Sequence, residues 1–245
     1  MIKDFFDEQF ENLILHDNPF IVRDFYDDPS KLATWKDVEE VCNNGNYPGY
    51  IMHPQIGKII ADGGEWNFHP NVKDRFDCIL NGGGACILHY DAHNAHTNEL
   101  AKFFEDRFNV DARFFLQAQL HPMDGYGLHS DDRNTVAIFI VQIEGTTSWK
   151  VYDNRQSSLF DNEHPRSKDF FVKYKNDEGL YSKMDLVLEE TLYPGDLIYI
   201  PHRMYHWAVP SEKRISLSIP CSAREEGNKP HVNRGWYSLN GNLLK

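Results

Sequence analysis

The sequence has no long hydrophobic run and no closely spaced pair of cysteines. Its longest uninterrupted apolar stretch, Val136 to Val141, spans six residues, whereas a membrane-spanning helix needs roughly 20. The acidic N-terminus, Met1 to Glu8, has no apolar core of the kind found in secretion signals. The 4 cysteines lie far apart, which predicts reduced thiols in a cytoplasmic protein and excludes a disulfide framework or a cysteine-based zinc site.

The chain is also poor in basic residues. Its 25 lysines and arginines stand against 37 aspartates and glutamates among 245 residues, which gives a formal net charge of −12. Such a field repels phosphate backbones, so neither nucleic acid nor a membrane is an expected partner. The charge suits a basic peptide or protein substrate, and it suits equally well a solvated acidic surface. A small anionic co-substrate requires a cation that is reserved for it.

No repeat, low-complexity tract or linker divides the chain, so residues 1–245 are expected to form a single domain. A helical and mixed N-terminal part covers about residues 1–80, a β-rich core covers about residues 81–222, and a short tail follows. Many short strands separated by turns predict a mainly β sandwich or barrel. The predicted helices are Phe6–Ile14, Thr34–Val41 and Asn98–Phe108, a loop is predicted from Asp153 to about Lys175, and the predicted strands are Pro19–Val22, Ala85–Tyr90, Ala112–Leu120, Thr135–Gln142, Ser148–Tyr152, Leu186–Leu188, Asp196–Ile200 and Ile215–Ile219.

Histidine occurs 12 times, and the most informative of these residues stands in the triplet His129-Ser130-Asp131. On an extended segment residues i and i+2 project to the same side, so His129 and Asp131 can hold one ion. His206, which follows a Pro-Gly turn and an apolar strand, offers a third ligand. Two histidines and one carboxylate leave three positions of an octahedral Fe(II) open, enough for a bidentate 2-oxo acid and O2. The alternative is that both histidines are merely hydrogen-bonded residues at strand ends, because His-x-Asp triplets also arise by chance.

The combination of these motifs resembles the JmjC-type cupin oxygenases, especially the ribosomal-protein hydroxylases. The resemblance runs from about Phe10 to Ser222 and is most specific in the block from Leu192 to His206. It implies a double-stranded β-helix of the jelly-roll or cupin type with flanking N-terminal helices. Only about twenty residues follow Ser222, so the winged-helix domain of the larger ribosomal oxygenases is not expected.

The same resemblance assigns metal ligation to His129, Asp131 and His206. It implies Fe(II) as the metal, with 2-oxoglutarate and O2 as co-substrates. Position 202, where those hydroxylases often carry Arg, is His in this chain. His202 is therefore a rival ligand, although the spacing of the family favours His206.

The co-substrate site departs from the pattern of the family. There a Lys or Arg stands two residues after the equivalent of Gly145 and pairs with the distal carboxylate of 2-oxoglutarate, but this chain has Thr147. A buried carboxylate needs a cation. Lys150 is one candidate, although strand alternation predicts that it points to the face opposite Thr147.

Arg214 is the other candidate for the missing cation. It lies eight residues beyond His206 on an alternating segment whose polar members share one face, and Ser216 is the next residue on that face. This Arg-x-Ser pattern resembles the clamp of the other large branch of Fe(II) dioxygenases, in which Arg holds the carboxylate bidentately. Arg214 as a surface charge on an edge strand is an equal alternative, and Tyr126 is a further candidate hydrogen-bond donor.

The histidines His89, His93 and His96 form a second cluster, at the end of a predicted strand and in the loop before a predicted helix. Its composition is that of a metal site, but loops rich in His and Asn are more typical of caps and solvated turns. By the resemblance, this loop lines the substrate entrance.

Motifs and resemblance together predict an Fe(II)- and 2-oxoglutarate-dependent dioxygenase that hydroxylates a protein or peptide side chain, or an amino-acid-like substrate, and releases succinate and CO2. The metal ligands are the only catalytic residues expected, because this chemistry needs no protein general base. One alternative is a metal-binding cupin that is not an oxygenase, such as an isomerase or a small-ligand binding module. Others are an N-methyl-lysine demethylase and a catalytically silent scaffold. The sequence leaves the prime substrate and the oligomeric state open.

Overall fold

The computed structural model describes residues 17–43, 49–53, 57–61, 76, 85–90, 93–108, 110–122, 128–131, 135–153, 182–210 and 212–223. The predicted helix Phe6–Ile14 and nearly all of the predicted loop after Asp153 lie outside these residues. Within them, no helix has the length and apolar character that crossing a bilayer requires.

Strands dominate the described residues, so the mainly β prediction is confirmed. Two α-helices and one short 3-10 helix, Pro29–Lys31, accompany them. The helices are α1 (Trp35–Asn43) and α2 (Ala95–Phe108), and the strands are β1 (Phe20–Val22), β2 (Gly49–His53), β3 (Gly57–Ala61), β4 (Ala85–His89), β5 (Val110–Ala112), β6 (Phe115–Gln119), β7 (Thr135–Glu144), β8 (Thr147–Tyr152), β9 (Leu186–Leu192), β10 (Leu197–Pro201), β11 (Tyr205–Pro210) and β12 (Arg214–Ala223).

The strands form two antiparallel sheets. The large sheet has the order β1-β10-β7-β12-β6-β4-β2-β3, and β5 also pairs with β12. The small sheet has the order β11-β8-β9. Between β7 and β12 the chain crosses from one sheet to the other four times, from β7 to β8, from β9 to β10, from β10 to β11 and from β11 to β12.

The alternation of β7 separates two cores. Phe139 and Val141 belong to a cluster that includes Phe104 of α2 and lies on the outer face of the large sheet. Ile138 and Ile140 point the other way, where they pack with Trp149 of the small sheet. The two sheets therefore enclose an interior, and the helix α2 covers the back of the larger one.

Both helices begin at polar residues that cap them. The backbone N–H of Thr34 and its hydroxyl donate to Asp37 Oδ2 at 2.7 and 2.6 Å, and this pair caps the start of α1, where a helix from Thr34 is predicted. Helix α2 starts at Ala95, three residues before the predicted boundary, because Asn94 Oδ1 accepts hydrogen bonds from the N–H groups of His96 and Thr97.

The strand predictions differ from the structure in several places, and β2 and β3 were not predicted. The run Ala112–Leu120 is not one strand but belongs to two, β5 and β6, because Arg113 and Phe114 leave the ladder and bond to Pro220 and Tyr90. The strand β11 was not predicted, because Pro201 and the polar residues after it indicated only the end of β10. The chain instead turns at once and returns in the small sheet.

Candidate metal centre and carboxylate site

His129 and His206 face each other across an isolated antiparallel bridge. The N–H of His129 donates to the carbonyl of His206 at 3.1 Å, and the N–H of His206 donates to the carbonyl of His129 at 2.8 Å. Directly opposed residues of an antiparallel pair project to the same side, and the two ring centroids lie 4.4 Å apart. The segment that contains His129 thus pairs with β11 through this single bridge.

Asp131 completes the group, as the i and i+2 spacing predicts. One ligand atom from each of His129, Asp131 and His206 lies within 4.8 Å of the others. Among the described residues, no other set of three His, Cys, Asp or Glu side chains converges in this way. His206 is almost fully buried, whereas the Asp131 side chain is 32% exposed, so the group opens to solvent on the aspartate side.

The hydrogen bonds of this group call for a cation. His206 Nδ1 lies 3.1 Å from the carbonyl oxygen of Met204, which can only accept, so Nδ1 carries the proton and Nε2 is left with a lone pair in the neutral ring. That lone pair faces Asp131 Oδ2 at 3.4 Å. The same carboxylate oxygen is buried and accepts no hydrogen bond. Two acceptors that face each other fit a metal ion bound by both, and two histidines with one carboxylate are the donor set of an open Fe(II) site.

His202, the rival ligand, lies outside this group. Its ring is buried, and its Nδ1 donates to the backbone carbonyl of Thr135 at the start of β7. His89 at the end of β4, His93 before α2 and His96 in the first turn of α2 do not converge on the ion site either. His93 Nε2 lies 3.3 Å from Asp37 Oδ1, and His96 Nδ1 lies 3.4 Å from the Tyr26 hydroxyl, in contacts that join the start of α2 to the N-terminal part.

Arg214 stands at the other end of the interior, where it is buried, and its hydrogen-bond partners among the described residues are neutral. Its Nη1 donates to Ser216 Oγ at 3.1 Å and to Thr147 Oγ1 at 3.4 Å, and its Nε donates to Gln119 Oε1 at 3.4 Å. Ser216 in turn donates to Gln117 Oε1. Neither a carboxylate nor any other anion is among these partners. Burial lowers the pKa of Arg214 to about 10, because desolvation disfavours the charged guanidinium.

The alternative that Arg214 is a surface charge on an edge strand is wrong. The strand β12 lies inside the large sheet and pairs with β7 on one side and with β5 and β6 on the other. Arg214 pairs with Gln119 in the register of β12 and β6, and Ser216 pairs with Gln117. Two alternate rungs, separated by the pair of Ile215 and Ala118, therefore present four polar side chains to the interior.

A tight turn brings Thr147 to Arg214. Gly145, between β7 and β8, has a φ of 70°, a left-handed conformation that favours glycine, and a Cβ at this position would overlap the carbonyl oxygen of Lys213. Gln142 Nε2 donates to the carbonyls of Glu144 and Gly145 and so fixes the turn. The hydroxyl of Thr147 consequently lies against the guanidinium that projects from β12.

Two predicted residues of the co-substrate site remain, Lys150 and Tyr126. Lys150 lies on the opposite face of β8 from Thr147, as alternation predicts, and its ammonium pairs with Glu189 at 2.9 Å. It is not brought to Arg214 or to the ion site. Tyr126 lies outside the described residues. Sequence reasoning gave no role to the carbonyls of Met204 and Thr135, because any residue type supplies a carbonyl.

The match to a protein-family model decides the family. The model of the JmjC domain matches residues 88–228, more than half of the chain. The chain belongs to the JmjC-domain family. The resemblance inferred from the motifs is thereby confirmed.

Curated relatives of this JmjC chain are longer proteins. A bifunctional lysine-specific demethylase and histidyl-hydroxylase NO66 from Drosophila sechellia is 26% identical over 145 residues, which are 57% of this chain and 20% of the relative. The protein of the same name from Dictyostelium discoideum is 29% identical over 162 residues, 64% of this chain and 27% of the relative. The chain thus spans about a fifth to a quarter of the length of these relatives.

Solved structures share the fold. The crystal structure of the ribosomal oxygenase YcfD from Escherichia coli has a TM-score of 0.54 at 15% identity, over 85% of this chain and 49% of that one. YcfD in complex with cobalt and 2-oxoglutarate has a TM-score of 0.56 at 13% identity, over 89% of this chain and 52% of that one. The predicted double-stranded β-helix of the cupin type is confirmed.

Proposed function

We propose that this chain is an Fe(II)- and 2-oxoglutarate-dependent oxygenase that hydroxylates a protein or peptide side chain and releases succinate and CO2. The observation that carries the proposal is the convergence of His129, Asp131 and His206, with a histidine lone pair facing an orphaned carboxylate oxygen. Membership of the JmjC-domain family and the names of the relatives, a histidyl-hydroxylase and a ribosomal oxygenase, support the same activity.

In this proposal His129, Asp131 and His206 would hold the ion. Iron bound with 2-oxoglutarate and O2 supplies an oxidant that is able to hydroxylate a C–H bond. No side chain of the chain is needed as a general base. The exposed side of Asp131 is the side from which a substrate side chain approaches.

Arg214 supplies the cation for the distal carboxylate of 2-oxoglutarate. Within the described residues this buried guanidinium has only neutral hydrogen-bond partners, and a carboxylate would offer it a bidentate, charged acceptor. The hydroxyls of Ser216 and Thr147 lie beside it and complete the clamp. The cation thus comes from β12 instead of β8 and still lies against the side chain of Thr147, the position at which the family carries Lys or Arg.

The apolar interior keeps water from the reacting atoms. Ile138, Ile140, Ile198 and Ile200 line the large sheet, and Trp149 lies opposite them with its ring 6.0 Å from that of His206. Hydrocarbon walls of this kind strengthen the attraction between Arg214 and a carboxylate, because the local dielectric constant is low.

The test begins with the chain loaded with Fe(II) and 2-oxoglutarate under nitrogen. A metal-to-ligand charge-transfer band is expected, followed by succinate formation when air is admitted. Absence of both in a folded, iron-loaded protein would refute the proposal and favour a metal-binding cupin without oxygenase activity. For the prime substrate, basic histidine-containing and methyl-lysine-containing peptides are incubated with the enzyme. Gain of one oxygen atom supports hydroxylation, whereas loss of a methyl group identifies a demethylase instead.

A further inference from the structure

The two segments that carry the candidate ligands meet a second time, at His202. One segment runs from His129 and Asp131 into β7, which starts at Thr135. The other leaves β10 at Pro201 and reaches His206 at the start of β11. The buried ring of His202 donates from Nδ1 to the carbonyl of Thr135. Thr135 lies four residues after Asp131, and His202 lies four residues before His206.

The turn from Pro201 to Met204 links the hydrogen bond between His202 and Thr135, called the anchor below, to the orientation of the His206 ring. The N–H of Met204 donates to the carbonyl of Pro201 at 3.3 Å, and Arg203 between them has a φ of 60°. A left-handed conformation at a residue other than glycine is costly and persists only where neighbouring contacts hold it. The closed turn presents the carbonyl of Met204 to Nδ1 of His206.

We infer that His202 is a positioning residue of the metal centre and not one of its ligands. The hydrogen bond from His202 to Thr135 fastens the turn to β7 and so fixes the position of the Met204 carbonyl. That carbonyl accepts the proton of His206 Nδ1, which keeps His206 in the tautomer whose Nε2 faces Asp131. This inference rests on the metal centre of the proposed function. It goes further, because it gives a structural role to the histidine that competes with His206 for ligation.

Variants of His202 distinguish the effect of its hydrogen bond to Thr135 from the effect of the size of its ring. In Asn the amide nitrogen is as many bonds from Cα as Nδ1 is in His, so His202→Asn keeps a donor for Thr135. His202→Gln moves that donor one bond further out, and His202→Leu removes it. His96→Leu is the control, because His96 is a partly buried histidine that contacts Tyr26, away from the ion site.

The measurement is the affinity of each purified variant for Co(II), together with the visible spectrum of the bound ion. His202→Leu and His202→Gln are expected to bind Co(II) about 10-fold more weakly than the wild type, as is common when an outer hydrogen bond of a ligand is lost. His202→Asn is expected to recover most of the affinity and the wild-type spectrum. His96→Leu is expected to match the wild type. Thermal unfolding without metal identifies any variant that fails to fold, and His202→Asn against His202→Gln retains the contrast if His202→Leu is such a variant.

Three results would overturn the inference. Wild-type affinity and spectrum in folded His202→Leu and His202→Gln would show that the anchor does not position His206. Loss of all Co(II) binding in His202→Leu, with binding retained in His206→Leu, would make His202 the ligand. Absence of Co(II) binding in the wild type would remove the metal centre itself, and only this result would also defeat the proposed function.

Discussion

The two faces of the large sheet are built from the same strands and differ in chemistry. The outer face is closed by α2 and consists of packed rings and aliphatic chains: Phe139 lies 4.5 Å from Phe104 and 5.2 Å from Tyr199 between ring centroids. The inner face carries isoleucines at its centre and the polar group around Arg214 at one end, and at the other end of the interior lies the group around His206 of the small sheet.

The difference separates stability from function. On the outer face, the side chains are stabilised by packing against one another, so truncating one of them costs packing energy. In the interior the electrostatics are incomplete: a lone pair faces a carboxylate at one end, and at the other the hydrogen-bond partners of a guanidinium within the described residues are all neutral. Each end lacks the charge that the proposed ligands bring, a metal ion to the first and a carboxylate to the second.

The largest effect is expected at the ion site. Asp131→Ala should reduce iron-dependent succinate formation below detection, because two histidines alone do not hold the ion with the required open positions. Succinate from 2-oxoglutarate is measured with added Fe(II), and Lys150→Ala, on the other face of β8, should retain wild-type rates. Full turnover by a folded Asp131→Ala variant would refute the ligand set.

Arg214→Gln should raise the KM for 2-oxoglutarate about 10- to 100-fold, since charge-assisted hydrogen bonds contribute about 1.5–3 kcal/mol each. Fe(II) binding should be unchanged. Because burial lowers the pKa of Arg214 to about 10, the charged guanidinium is disfavoured by folding, and the Tm of the ligand-free variant should be equal to or above that of the wild type. An unchanged KM would move the clamp elsewhere, and a large fall in Tm would indicate a structural role.

The position of the cation can be tested by moving it. Combining Thr147→Lys with Arg214→Ala places an ammonium where the family carries one, in the space that the guanidinium vacates. The double variant should recover about 10-fold of the affinity for 2-oxoglutarate that Arg214→Ala alone loses. Equal KM values for the single and double variants would show that the two positions do not share one carboxylate site.

The smallest effect on turnover is expected from the outer face. Phe139→Ala should lower the free energy of unfolding by about 3–5 kcal/mol, because it opens a cavity under α2. The KM for 2-oxoglutarate and the affinity for Fe(II) should stay close to wild type below the transition. Denaturant unfolding and steady-state kinetics measure the two quantities. A change in KM of the size expected for Arg214→Gln would mean that the faces are coupled.

Much of the ion site could be predicted from the sequence, because it depends on local geometry. His129 and Asp131 share a side through the two-residue period of an extended chain. The start of α1 is equally local, since Thr34, the residue before the helix, bonds to Asp37 three positions along the chain. The strand β11 was not predicted, because it forms by pairing with β8. Such a pairing leaves no pattern in the sequence of β11 itself.

The carboxylate site could be predicted only as a choice between Lys150 and Arg214. Alternation argued against Lys150, but whether β12 was an edge or an inner strand depended on its neighbours. The pairing of β12 with β6 and β7 buries Arg214. The turn at Gly145 then brings Thr147 of the small sheet to it.

By itself, the sequence determined the kinds of ligand, their spacing on one strand and the resemblance to the JmjC family. The tertiary structure alone decided that His206 joins His129 and Asp131 while His202 does not, and that an arginine from β12 reaches the threonine of β8. Side-chain alternation is a property of a single extended segment and can be read along the chain. The meeting of residues more than sixty positions apart is a property of strand pairing and sheet packing, which only the folded chain expresses.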